Sequence, residues 1–169
     1  MTVDTRPGVV LRPARRDDVA LILAFVRELA DYERMPDAVV ADEAALADGL
    51  FGPAPGAEVL IAEVDGVPAG FALFFHNYST FLGRRGLYLE DLYVRPAFRG
   101  QGLGRRLMRH LAALALARGC GRFEWSVLDW NAPAIGFYRT LGAVGQDEWT
   151  VQRVEGKALR RLAAGAADD

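Results

Sequence analysis

The sequence predicts a single α/β domain with its elements in the order βααβββαβαββ. Three observations carry this. Short apolar or alternating segments bounded by Gly, Pro, Asn and Asp recur along the chain. Between them lie stretches with apolar residues at helical spacing and recognisable caps. The chain has 169 residues, 51% hydrophobic and 25% charged, a globular composition of one-domain size.

Residues 1–7 read as a loose leader, and the chain from about 164 to 169 as a tail. "VVLRPA" (Val9–Ala14) is a strand ended by proline. A helix follows, capped by Asp17, with Val19, Ile22, Leu23, Val26, Leu29 and Ala30 on one face. Asp42 starts a second, shorter helix. "AEVLIAEV" and "PAGFALFFHNYS" are strands joined by a hairpin turn at Asp65-Gly66. "NYSTFLGRRG" reads as a polar loop and "LYLEDLYV" as the next strand. "LGRRLMRHLAALALARGC" is a helix ended by Gly119. "RFEWSVLD" is a strand, and "APAIGFYRTLG" a short helix with Pro133 near its start and Gly142 past its end. "AVGQDE" and "WTVQRV" are the last strands, followed by a helix at "KALRRLAA".

The totals exclude some functions. A formal net charge of -2 argues against a nucleic-acid binder, which would carry a basic face. The one cysteine, Cys120, rules out a disulfide within the chain and fits a reducing cytoplasm. No signal peptide and no membrane-length apolar run is evident. His76 and His110 lie far apart with no metal-type spacing, and Cys120 has no histidine near it in sequence, so no metal and no thiol nucleophile is expected.

The most informative stretch is "LYLEDLYVRPAFRGQGLG", Leu87–Gly104. Three glycines between a strand and a helix let backbone N–H groups approach a ligand, and the helix N-terminus adds free amides and partial positive charge. With Arg99 and Arg105 alongside, this is an anion site suited to phosphate or pyrophosphate. It is not a P-loop, which needs a lysine, nor a dinucleotide fingerprint, whose glycine spacing differs.

Arg99-x-x-Gly102-x-Gly104 after a strand resembles the acetyl-CoA pyrophosphate loop of the GNAT N-acetyltransferases. With "LYLEDLYV", "WNAPAIGFYRTLGA", "ELADYERM" and the element order, the chain from about Val9 onward resembles their diamine (spermidine/spermine and thialysine) branch. The resemblance implies the GNAT fold, a central mixed, mostly antiparallel sheet flanked by helices. It implies acetyl-CoA as cosubstrate, no metal, and a small-molecule primary amine as acceptor: a diamine, a polyamine or a thialysine-like amino acid. The amine would attack directly in a ternary complex, and the protein would be a homodimer with its C-terminal strands in the interface.

By the same resemblance, Leu92, Tyr93 and Val94 would pair with the pantetheine arm, with the Val94 amide near the thioester carbonyl. Gly100, Gln101, Gly102, Leu103, Gly104 and Arg105 would hold the pyrophosphate on their amides, and Asn131 would bond the cofactor by its side chain. Tyr138 would protonate the departing thiolate; from its residues alone it reads as a core aromatic beside Phe137.

An alkyl ammonium at pH 7 needs about 4–5 kcal/mol to reach its neutral form, so a carboxylate at the site is expected to take the proton and hold the cation. Glu90 and Asp91 are the candidates. Adjacent strand residues point to opposite faces, spacing alone does not choose, and the resemblance favours Glu90. It also puts Glu28 near the amine, with Glu33 close enough on the same helix to line one groove. Ser79 stands where polyamine-acting members carry an acid, which favours a shorter amine. The rival readings are a protein or peptide acetyltransferase, which needs an open groove near Asn77–Gly86, and a non-catalytic acyl-CoA sensor, which would have no use for Tyr138 and Glu90.

Overall fold

The computed structural model describes residues 8–165; the expected leader and the end of the tail lie outside them. The chain forms two compact units that divide between Leu128 and Asp129.

The first unit is built on a five-stranded sheet in the order β1-β2-β3-β4-β5: Val9–Pro13, Glu58–Val64, Val67–Ser79, Arg84–Val94 and Phe123–Trp125. The first four strands are antiparallel and β5 runs parallel to β4, giving the mixed, mostly antiparallel sheet. Asp65 and Gly66 both have positive φ, 49° and 78°, the conformation that a tight two-residue hairpin requires.

Helix α1 (Val19–Tyr32) covers one face. Its Ile22, Phe25 and Leu29 pack on Val59, Ile61, Phe71 and Tyr93, and Phe25 stacks on Phe71 at 5.2 Å. Leu60, Ala62 and Ala72 alternate with those residues and are equally buried. Helix α3 (Leu103–Ala117) packs there, with Leu107, Met108 and Leu111 inward. Helix α2 (Glu43–Phe51) lies against α1 and starts as expected: Asp42 accepts from the Ala45 amide at 2.8 Å.

Several expectations are corrected. Asp17 caps nothing. A short 3-10 turn at Arg16–Asp18 precedes α1, and Asp18 accepts from the Arg15 amide at 2.7 Å. Asp18 also takes two hydrogen bonds from Arg12, at 2.8 and 2.9 Å, while Arg12 reaches Glu63 at 2.9 Å. Asp18 takes the capping place because the 3-10 turn sets α1 one residue later than the apolar spacing suggests. The stretch Asn77–Gly86 is not a loop. β3 and β4 pair out to Ser79↔Arg84, and only Thr80–Gly83 turns. The extension is built of Asn, Tyr, Ser, Arg and Gly without an apolar alternation, so periodicity fails to report it. β5 is cut to three residues instead of running on to Asp129.

The second unit holds α4 (Ala132–Thr140) and α5 (Gly156–Ala163). Asn131 caps α4, accepting from the Ala134 amide at 3.3 Å, and Pro133 sits in the first turn. The two closing strands expected at "AVGQDE" and "WTVQRV" are irregular instead. Alternation makes a strand only where a ladder partner exists, and this stretch has none among the described residues.

Candidate active site

The sheet forks at β4. β5 pairs with it only at Leu87↔Phe123, Tyr88↔Glu124 and Leu89↔Trp125, so β4 runs on from Glu90 to Val94 with no strand on that side among the described residues. The Arg95 amide donates to the Ala69 carbonyl of β3 at 2.8 Å. Antiparallel pairing alternates, so Val94 and Leu92 turn their N–H and C=O groups away from β3, toward the open side. Tyr93 faces β3 with its backbone and α1 with its ring, buried against Phe25. Gly70 lies opposite Val94, where a Cβ would press into the Tyr93 carbonyl.

The open edge leads into the glycine loop. Gly100 and Gly102 have φ of 77° and 76°, a conformation that a side chain would strain, and the space where their Cβ atoms would stand is open. Gly102 is the N-cap of α3, and no side chain caps the first turn. An open strand edge followed by uncapped helix amides and unobstructed glycines fits an extended thioester arm ending in a pyrophosphate. Arg99 donates from Nε to the Val94 carbonyl at 2.8 Å, with its guanidinium 5.2 Å from the Tyr32 ring and 5.6 Å from the Tyr93 ring.

A β-bulge sets the carboxylates. Leu73 faces Asp91 and Phe74 faces Leu89, so Glu90 is the extra residue. The strict alternation expected to send Glu90 and Asp91 to opposite faces is interrupted there. A bulge depends on the partner strand and leaves no mark in the sequence. Asp91 is partly buried, and its carboxyl is pushed up to about 6, first by burial and then by the charges of Glu90 and Glu33. Burial also raises the Glu33 carboxyl. Glu90 itself is exposed. The charges of Glu90 and Glu33 thus both reach Asp91 on β4.

Glu28 is engaged by an arginine. It forms a two-pronged ion pair with Arg95, at 2.8 and 3.1 Å, and Arg95 lies over the Phe25 ring and also reaches the Pro68 carbonyl. The pair ties α1 to the residue that follows Val94. Arg95 was missed in the sequence because its partner lies on a distant helix.

In the second unit, Asn131 spends its side-chain oxygen on capping α4. Tyr138 lies on α4, partly buried, with its ring 5.4 Å from that of Phe137. Back in the first unit, Cys120 does have a histidine nearby: His76 Nδ1 is 3.7 Å from its sulfur. That nitrogen also faces the Gly86 carbonyl at 3.0 Å, while Nε2 faces Arg118 at 3.0 Å. The network assigns the proton to Nδ1, so the sulfur meets an N–H and no base.

A mixed sheet forked beside a glycine-rich helix start is the architecture of an acyltransferase. The family is shown by comparison: the Acetyltransferase (GNAT) family pattern matches residues 23–143. The chain is 42% identical over 168 residues to thialysine N-epsilon-acetyltransferase of Sus scrofa, covering 92% of this chain and 98% of that protein. It is 32% identical over 197 residues to an L-ornithine N5-acetyltransferase of Arabidopsis thaliana, covering 90% and 86%. An integron cassette protein from the mobile metagenome of V. cholerae superposes with a TM-score of 0.79 at 28% identity, covering 94% of this chain and 99% of that one. The chain belongs to the GNAT acetyltransferase family and is an acyltransferase.

Proposed function

We propose that this enzyme acetylates a primary amine of a small molecule, a short diamine or a thialysine-like amino acid, with acetyl-CoA as donor. The observation that carries the reading is the fork at β4, with Asp91, Glu90 and Glu33 beside its open edge. The amine class rests on the similarity to acetyltransferases named for thialysine and ornithine.

Acetyl-CoA supplies the activated acetyl group. Leu92 and Val94 offer a strand edge for its arm, with Tyr93 between them bonded back to β3, and Gly100, Gln101, Gly102, Leu103, Gly104 and Arg105 offer amides for its phosphates. The Val94 N–H stabilises negative charge on the carbonyl oxygen as the amine attacks. The acidic trio holds the incoming ammonium, and the Glu90–Asp91 pair accepts its proton. A carboxyl near 6 is mostly ionised at pH 7 and still basic enough to serve. Tyr138 returns a proton to the departing sulfur, and Asn131 steadies the helix that carries it.

We also propose a homodimer in a reducing cytoplasm. Trp149 and Val151 are each 80% exposed on a stretch that alternates like a strand but has no ladder partner among the described residues. A second copy would supply one. Cys120 is a free thiol, and among the described residues no helix is long and apolar enough to cross a membrane.

The test is thiol release from acetyl-CoA against a panel of short diamines, thialysine, ornithine, spermidine and amine-bearing peptides. Release with the short amines is expected. Release with peptides alone would replace the substrate class, and CoA binding without release would leave a sensor. Tyr138→Phe is expected to lower kcat about a hundredfold with CoA affinity kept, the usual scale of losing one general acid.

A further inference from the structure

Arg99 turns its side chain back onto the strand that precedes it. Its Nε is committed to the Val94 carbonyl at 2.8 Å, and its guanidinium rests against Tyr32 and Tyr93. Tyr32 ends α1, and Tyr93 packs beneath that helix. The amides suited to a pyrophosphate open α3, which covers the opposite face of the sheet.

The contact that Arg99 does make has a different use. The peptide unit between Val94 and Arg95 is held at both ends: its N–H bonds the Ala69 carbonyl at 2.8 Å, and its C=O takes the Arg99 bond. Arg95 is itself clamped by Glu28. The backbone on the C-terminal side of Val94 is therefore fixed at a position with β3 on one side and, among the described residues, no strand on the other. We propose that Arg99 is a positioning residue that acts through the Val94 carbonyl, keeping the Val94 N–H aimed at the developing oxyanion, and that it is not a ligand of the pyrophosphate. This rests on the acetyl-transfer reading above.

The aim of such a donor matters steeply. Losing one oxyanion donor outright costs about a hundredfold or more in kcat, and loosening it should cost less, about tenfold. A phosphate ligand behaves differently, because its loss weakens binding of any donor that carries the phosphates and leaves the rest untouched.

The experiment compares wild type, Arg99→Gln, Arg99→Lys and Arg105→Gln, using acetyl-CoA and acetyl-pantetheine, which lacks the pyrophosphate. CoA affinity is measured separately by calorimetry without turnover. Arg99→Gln and Arg99→Lys are expected to lose about tenfold in kcat with both donors, while CoA affinity stays within about twofold. Arg105→Gln is expected to lose only with acetyl-CoA. In the free protein, the Val94 and Arg95 amide resonances should move in Arg99→Gln. An Arg99→Gln defect confined to acetyl-CoA, with CoA binding weakened about tenfold and Arg99→Lys near wild type, would overturn the proposal. So would unchanged kinetics in both Arg99 variants. Failure of the wild type to release thiol with any amine would instead overturn the proposed function.

Discussion

Asp91 holds its proton more tightly in the folded protein than in the unfolded chain. Its carboxyl rises from the ordinary 3.8 to about 6 because it is buried beside Glu90 and Glu33. The folded state therefore loses stability as pH rises from 3.8 through about 6, and at pH 7 the full cost is present. Asp91→Asn should raise stability at pH 7 by on the order of 2 kcal/mol and leave it nearly unchanged at pH 3.5. Denaturant midpoints at the two pH values check this. The same substitution should abolish the acid limb near pH 6 in kcat/KM. Glu90→Gln should move that limb to lower pH, because it removes one of the charges that raises the Asp91 carboxyl. That β4 carries two adjacent acids was legible in "LYLEDLYV". Which of them is buried was not, since burial depends on α1 and on the bulge against β3.

At the scale of elements, the working end of β4 depends on its contact with β3. Gly70 sits opposite Val94, and a methyl there would meet the Tyr93 carbonyl and come within 3.1 Å of the Val94 Cα. Gly70→Ala should cost about 1–3 kcal/mol by overpacking and weaken CoA binding along with it. Thermal unfolding and calorimetry on the same variant separate the two effects. The entry to α1 is braced differently. Arg12 holds the Asp18 carboxyl below its ordinary range, mainly through their hydrogen bonds. That stability is present above the unfolded value near 3.8 and is lost as pH falls below it. The helices, their apolar faces and the Asp65-Gly66 turn were legible because each rests on neighbours within a few residues. The Asp18 brace, the Glu28–Arg95 clamp and the extended β3–β4 hairpin were not, because each needs a partner from another element.

At the scale of the molecule, the C-terminal stretch raises the question of assembly. Trp149, Val151 and Leu162 are exposed, at 80%, 80% and 66%. Single exposed apolar residues are ordinary, and the proposed second copy would cover several in one stretch. Sedimentation should report a dimer, and Trp149→Asp should shift it toward monomer. A monomeric wild type at micromolar concentration would remove the dimer from the proposal.

Composition, periodicity and the Arg/Gly loop by themselves determined an α/β chain with a glycine loop between a strand and a helix, and the resemblance of its motifs pointed to acetyl transfer. These features are local, written in spacings of two to five residues. Tertiary structure alone decided that β5 stops at Trp125 and leaves the β4 edge open, that Asp91 is the buried acid, and that Glu28 is spent on Arg95. Each of those depends on which segments come to lie side by side. A hydrogen-bond ladder, a desolvated carboxyl and an ion pair are properties of two partners, and one partner's sequence does not contain them.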